Sequence, residues 1–346
     1  MKGKITKIAF NAIFLITCIG ITVFFVFRGE DFSNVVGYIK NASGLGWIVG
    51  IGLVVGFILC ESVIIYYLMR NLNQQPKIIH CFLYSFVGFF FSLVTPTASG
   101  GQPMQIVFMS KDKLPIHVTT IVLMMVTIAY KAVLVFIGAI VLIIRPHRIM
   151  LLLKPVMGWV YLGMGLNVVC IGAMGMIIFS PVLAEKLIRI LLSIVKFFST
   201  KGFYRLKKKA VEYIGKYRQA SMYMQKNPGV TLIVFAMTLV QRCLLFAVTF
   251  VVFKSFGIYN ISLAEAIVLQ GIISLSVDML PLPGGVGISE HLFKRIFRPL
   301  CPQMLIVPTM IVSRGISFYA QLLISAVFTV VAYFVIFGGK RNDRIL

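Results

Sequence analysis

Long uninterrupted apolar runs constrain this chain more than any other feature of its sequence. A helix that crosses a lipid bilayer needs about 20 apolar residues in succession. Only 12% of the residues are charged, against about 25% in soluble domains. The sequence therefore predicts an all-α integral membrane protein that forms a single polytopic domain, 1–346. Six runs are predicted to cross the membrane fully: 8–27, 45–69, 116–144, 155–180, 230–256 and 305–337.

Two shorter apolar runs, 81–95 and 265–280, each end in a segment rich in proline and glycine. The first break covers 95–103 and the second covers 281–287, and an amphipathic stretch follows each of them. Irregular backbone at membrane depth is tolerated only where protein buries it or where it lines a cavity. We therefore predict two Pro/Gly-broken re-entrant hairpins in addition to the six crossings.

The distribution of positive charge predicts the orientation. Cytoplasmic loops of membrane proteins are enriched in Lys and Arg, and the segment 181–229 holds eleven of them against two acids. This basic amphipathic segment and the lysine-rich N-terminus are predicted to be cytoplasmic. The first hairpin must then enter and leave on the cytoplasmic side, and three cations, Arg145, Arg148 and Lys154, lie on the other side. Charge leaves open whether 265–298 is re-entrant or a full crossing.

Matched spacings indicate an internal repeat. Thirty residues separate Gly101 from Lys131, and thirty separate Gly284 from Arg314. With a re-entrant second hairpin, the first repeat, 45–144, and the second, 230–337, have opposite topologies. Inverted repeats with interrupted segments at corresponding positions mark the binding site in many transporters. Coincidence of spacing is the alternative.

Ionisable residues inside the apolar runs are the candidate site. Each charge costs about 2.5–3.5 kcal/mol at the centre of a spanning helix, so such residues are usually functional. The alternative is that they only form salt bridges with one another and hold the helices together. The candidates are Glu61, Lys131, Arg242 and Arg314, with Asp278 and Glu290 beside the second break.

The two breaks supply a second set of candidates. A helix that restarts after a break offers free N–H groups and a partial positive charge, which suit phosphate. Glycines allow the backbone to approach a ligand closely. We therefore predict an anion site formed by Lys131, Arg314 and both restarts, with the carboxylates balancing charge or binding a cationic group. The residues of the breaks are Ser99, Gly100, Gly101, Gln102, Gly284, Gly285 and Ser289.

Other chemistry has little support in the sequence. The six cysteines show no CxxC pair and the four histidines show no metal-ligand spacing, so we predict neither a metal nor a cofactor. No nucleophile–base pair is visible, and no catalytic residue is predicted. The net charge of +23 is interpreted as enrichment of Lys and Arg in cytoplasmic loops and as attraction to anionic lipid, rather than as a sign of nucleic-acid binding.

Three stretches resemble the transmembrane flippase domain of the lysylphosphatidylglycerol synthase/flippase family. They are TPTASGGQPMQ at 95–105, LPLPGGVGISE at 280–290 and VSRGISFY at 312–319. The resemblance implies a bacterial cytoplasmic membrane and a phospholipid partner that is anionic or aminoacylated. By descent from this family, the chain would also carry the label of phosphatidylglycerol lysyltransferase. The family's aminoacyl transfer resides in a soluble domain that the sequence does not contain, so we expect no lysyltransferase activity.

Three functional hypotheses follow. The first is a flippase that moves a phosphate-bearing lipid, and the second is an accessory subunit that presents lipid to a separate synthase. A third hypothesis, ranked after these two, is an integral-membrane transferase, which the family label of phosphatidylglycerol lysyltransferase would describe. An oligomer is compatible with the first two. Under the first hypothesis, Lys131→Ala and Arg314→Ala are each expected to stop lipid movement in a folded protein.

Overall fold

The computed structural model describes residues 37, 43–95, 98–179, 221–282 and 285–338. Within these ranges the chain forms helices and connecting turns, without strands. The all-α membrane prediction is confirmed at this level. The predicted span 8–27 and most of the basic segment 181–229 lie outside the described residues.

Eleven α-helices are numbered here in chain order, and residues 221–226 are also helical. Short 3₁₀ turns follow α5 and α9, and a π-helical turn, Gly315–Ala320, separates α10 from α11. The helices are α1 Gly44–Asn71, α2 Ile78–Val94, α3 Gly101–Lys111, α4 Ile116–Ile144, α5 His147–Leu153, α6 Met157–Phe179, α7 Pro228–Ser255, α8 Leu263–Val277, α9 Ile288–Phe297, α10 Ile306–Arg314 and α11 Gln321–Gly338.

Five helical stretches are long and apolar enough to cross a membrane. They coincide closely with five of the six predicted spans. The main difference is at α5, because the stretch that includes α6 begins at His147 rather than near residue 155. The five stretches are Gly44–Asn71, Ile116–Ile144, His147–Met176, Pro228–Ser255 and Ile306–Phe337.

Helix α1 packs against α7, and the two run antiparallel. At one end the Ser43 N–H donates to the carbonyl of Ser255 at 3.3 Å. Near the middle, Gln241 Nε2 donates to the carbonyl of Phe57 at 3.1 Å. The C-terminal ends of α1 and α7 therefore lie at opposite ends of the bundle.

Helices α2 and α3 fold back on each other to form hairpin 1, whose tip is 95–100. His80 Nδ1, near the start of α2, lies 2.6 Å from Asp112 Oδ2, just past the end of α3. Close to the tip, a Cβ at Gly101 would lie 2.6 Å from the carbonyl oxygen of Gly88. Glycine at position 101 thus permits the two helices to meet, which a side chain would prevent.

Helices α8 and α9 form hairpin 2, whose tip is 278–287. The chain enters α8 directly after α7, and the end of α9 returns to the same level, because the rings of Phe253 and Phe297 lie 5.2 Å apart. Gly285 in the tip has a φ of +65°, which side chains rarely adopt. Since α1 and α7 are antiparallel, hairpins 1 and 2 open toward opposite ends of the bundle.

Candidate functional site

Both hairpins contact the middle of α4, hairpin 1 just after its tip and hairpin 2 at its tip. Gln102, at the start of α3, donates a hydrogen bond from its side-chain amide to the hydroxyl of Thr127. Lys131 donates to Asp278, at the start of the second tip. Residues four apart lie on the same face of a helix, so Thr127 and Lys131 present both contacts within about one turn.

Lys131 and Asp278 form a direct ion pair between the two halves of the chain. Lys131 Nζ lies 2.5 Å from Asp278 Oδ2, and the two side chains are only 9% and 14% exposed. Nζ also contacts Met279 Sδ at 3.0 Å. A buried ion that loses its partner is strongly destabilising, so each member of this pair holds the other in place.

A second ion pair fixes the restart of hairpin 2. Arg314 Nε donates to Glu290 Oε1 at 2.8 Å. The other carboxylate oxygen, Glu290 Oε2, accepts from the backbone N–H of Gly287 at 2.6 Å and from the hydroxyl of Ser289 at 3.0 Å. The carboxylate of Glu290 therefore occupies the N-terminal end of α9, where an external anion was predicted to bind.

The third pair of charges is less direct. Glu61 is buried and interacts electrostatically with Arg242, and it accepts a hydrogen bond from Gln105 at 3.3 Å. The guanidinium of Arg242 lies 4.0 Å from the centre of the Tyr130 ring. Its Nε atom is buried and has no hydrogen-bond partner among the described residues. This cation thus retains an unused hydrogen-bond donor in the interior of the described part of the chain.

The remaining predicted residues belong to the two tips. The N–H of Gly100 donates to Thr95 Oγ1 at 2.9 Å, which closes the turn before α3. Ser99 is exposed at that tip. Gly284 lies outside the described residues. The roles of the tip residues in ligand binding stay predictions.

The described interior thus holds three cations and three carboxylates arranged as opposite pairs. Lys131 and Arg314 are not equivalent, although their spacings match. Lys131 pairs with a carboxylate from the other half of the chain, whereas Arg314 pairs with one that lies 24 residues before it. An anion that enters this region must compete with a carboxylate for Lys131 or Arg314, or it must bind Arg242.

Four polar residues that connect these pairs were not predicted from the sequence. Tyr130 directly precedes Lys131 in the sequence, and Thr127 lies one helical turn before it. Gln241 directly precedes Arg242. The fourth, Gln105, lies in α3 and is 3% exposed. A polar side chain next to an intramembrane charge is the signal that would have identified the first three.

These features define a polytopic helical membrane protein with a charged interior at the junction of two broken helical hairpins. The chain belongs to the lysylphosphatidylglycerol synthase transmembrane-region family, whose model matches residues 10–325. The predicted resemblance is confirmed, and a lipid-related role in a membrane follows from it. No curated protein matches the chain.

Proposed function

We propose that this protein moves a phosphate-bearing lipid across the bacterial cytoplasmic membrane, with its own N-terminus in the cytoplasm. The observation that carries the proposal is the contact of both hairpins with one turn of α4. Ionisable groups at membrane depth are expensive and mark pathways for ions or substrates. A lipid headgroup that passes this turn of α4 would meet polar groups from both hairpins.

The proposal includes two re-entrant hairpins in an inverted repeat, 45–144 and 230–337. The longest hairpin helix, α2, has 17 residues and is about 25 Å long at 1.5 Å per residue. The hydrocarbon core of a bilayer is about 30 Å thick. Each hairpin helix is therefore shorter than the hydrocarbon core is thick, which supports re-entrant hairpins, and the antiparallel packing of α1 and α7 supports opposite entry directions for the two.

Arg242 is the proposed first contact for the lipid phosphate. Its buried Nε has no partner among the described residues, and a guanidinium binds phosphate through charge-assisted hydrogen bonds. Lys131 is the second contact, because both it and Arg242 lie over the ring of Tyr130, and it is released when Asp278 leaves it. The carboxylates that remain offer partners for an ammonium group, so aminoacylated phospholipids belong to the proposed substrate class.

Reconstitution of the purified chain tests this proposal. Vesicles would carry fluorescent lipid in both leaflets, and a membrane-impermeant reductant would bleach only the outer one. We expect the protein to expose inner-leaflet phosphatidylglycerol and its aminoacylated form to the reductant. A neutral glycosyl diacylglycerol, which has no phosphate, serves as the control and is expected to stay protected. Equal protection of all three lipids, or equal loss, would contradict a phosphate-directed pathway.

A further inference from the structure

Two short helices lie side by side at the end of the molecule where α4 ends and α6 begins. Helix α5 packs against α9 and shares an apolar cluster with it. Ile149 and Leu153 of α5, together with Phe293 and Phe297 of α9, are buried in that cluster. The opposite faces of both helices are consequently directed away from the core.

Those outward faces are basic. Spacings of three or four residues place side chains on one face of a helix, and both helices, with the turns that follow them, carry exposed cations at such spacings. All six side chains of the two stripes are exposed: Arg148, Leu151 and Lys154 along α5, and His291, Arg295 and Arg298 along α9.

Positive charge at this end is almost unopposed. Among the described residues here, Glu265 is the only acid, and it already bridges Arg148 at 3.1 Å. We call the exposed stripes and their basic neighbours the basic end. Its Lys and Arg residues are Arg145, Arg148, Lys154, Lys254, Lys294, Arg295 and Arg298.

Exposed apolar side chains accompany the cations. Ile143 is 80% exposed beside Arg145, and Met304 is 71% exposed just past the turn that follows α9. Lys254 lies 4.4 Å above the ring of Tyr259, which is itself 71% exposed. Cations with aromatic and aliphatic neighbours are typical of the membrane interface, where headgroups meet acyl chains. An aqueous partner would leave the apolar side chains in water.

We infer that the basic end binds the headgroups of anionic phospholipids in the adjacent leaflet. This surface is separate from the charged interior, so the inference does not depend on the proposed lipid movement. A polybasic surface attracts anionic lipid by about fivefold for each cation that reaches the headgroups. The protein would thus enrich anionic lipid around this end, and salt would weaken the enrichment.

Tryptophan fluorescence offers a local test, because the chain has only two tryptophans. Trp159 lies near the start of α6, shortly after Lys154, and packs against the same apolar cluster. In a Trp47→Phe protein it reports on this end alone. Vesicles would contain brominated phosphatidylglycerol or brominated phosphatidylcholine diluted in the same unlabelled lipid mixture. We expect stronger quenching by the brominated anionic lipid, and a smaller difference in high salt.

Variants that replace cations by neutral residues show which cations cause the preference for anionic lipid. Arg295→Gln with Arg298→Gln removes two of the cations of the basic end and is expected to reduce the difference in quenching between the two brominated lipids. The control, Lys111→Gln with Lys113→Gln, removes two exposed cations at the opposite end and should retain the preference. The inference is overturned if the unsubstituted basic end shows no preference for anionic lipid. It is also overturned if the Arg295/Arg298 change leaves the preference undiminished, or if this end binds a soluble polyanion such as polyglutamate without enriching anionic lipid.

Discussion

Replacing Lys131 by Met and Asp278 by Asn together is expected to leave a folded protein that moves lipid far more slowly. The two side chains form a buried ion pair at 2.5 Å, and substituting both partners of such a pair by neutral groups is often tolerated. The phosphate then loses a charged hydrogen bond of about 1.5–3 kcal/mol, which slows translocation by roughly 10- to 150-fold. The fluorescent-lipid assay in vesicles measures this rate.

Two comparisons separate function from folding in that experiment. Lys131→Met alone leaves the Asp278 carboxylate buried without its cation, which costs about 3–5 kcal/mol, so we expect little folded protein. Thr249→Val with Ser313→Ala removes a buried uncharged pair at 3.0 Å and should retain transport. Normal transport by the Lys131/Asp278 double variant would show that the pair only holds the helices together.

Glu290→Ala is expected to cause the largest loss of stability among single substitutions at the site. The carboxylate accepts three hydrogen bonds, from Arg314, Gly287 and Ser289. Its removal takes away the carboxylate that pairs with Arg314 and uncaps α9, with a cost of about 3–5 kcal/mol. Thermal unfolding in detergent, followed by the fraction that remains monodisperse, measures the change.

Glu265 provides a matched control, because it occupies the same position, the third residue, in the other helix of hairpin 2. Its carboxylate accepts from the backbone N–H of Ser262 at 2.9 Å, and its ionic partner Arg148 is 56% exposed. Glu265→Ala should therefore lose only about 1 kcal/mol, as for a cap. Equal destabilisation by the two substitutions would contradict the special role of Glu290.

The spans and breaks were predictable because they depend on local patterns. Apolar length predicted five helical stretches, and proline with glycine predicted the tips of both hairpins. The start of the span that contains α5 and α6 was less predictable. Lys154 and Pro155 interrupt the apolar pattern there, but a 3₁₀ turn connects the two helices directly. The interpretation of Arg145, Arg148 and Lys154 as isolated exceptions to the charge rule was incomplete, since α9 adds further cations to the same end.

The charged residues were predictable as a set, but their partners were not. Lys131 and Asp278 lie 147 residues apart, and no local pattern relates them. The matched spacing suggested that Lys131 and Arg314 act alike in one anion site, whereas their partners come from different halves. Lys131→Ala and Arg314→Ala were expected to leave the fold intact. We now expect each to destabilise it, because each removes the cation that pairs with a buried carboxylate.

The opposed entry of the two hairpins is the most direct test of this account. Single cysteines at Lys113, just past hairpin 1, and at Gln303, just past hairpin 2, would be introduced into a protein without native cysteines. Both positions are exposed. A membrane-impermeant thiol reagent is applied to intact spheroplasts and to inverted vesicles. The account predicts that the cysteine at 113 reacts only from the cytoplasmic side and the cysteine at 303 only from the opposite side. Reaction of both cysteines from the same side would contradict it.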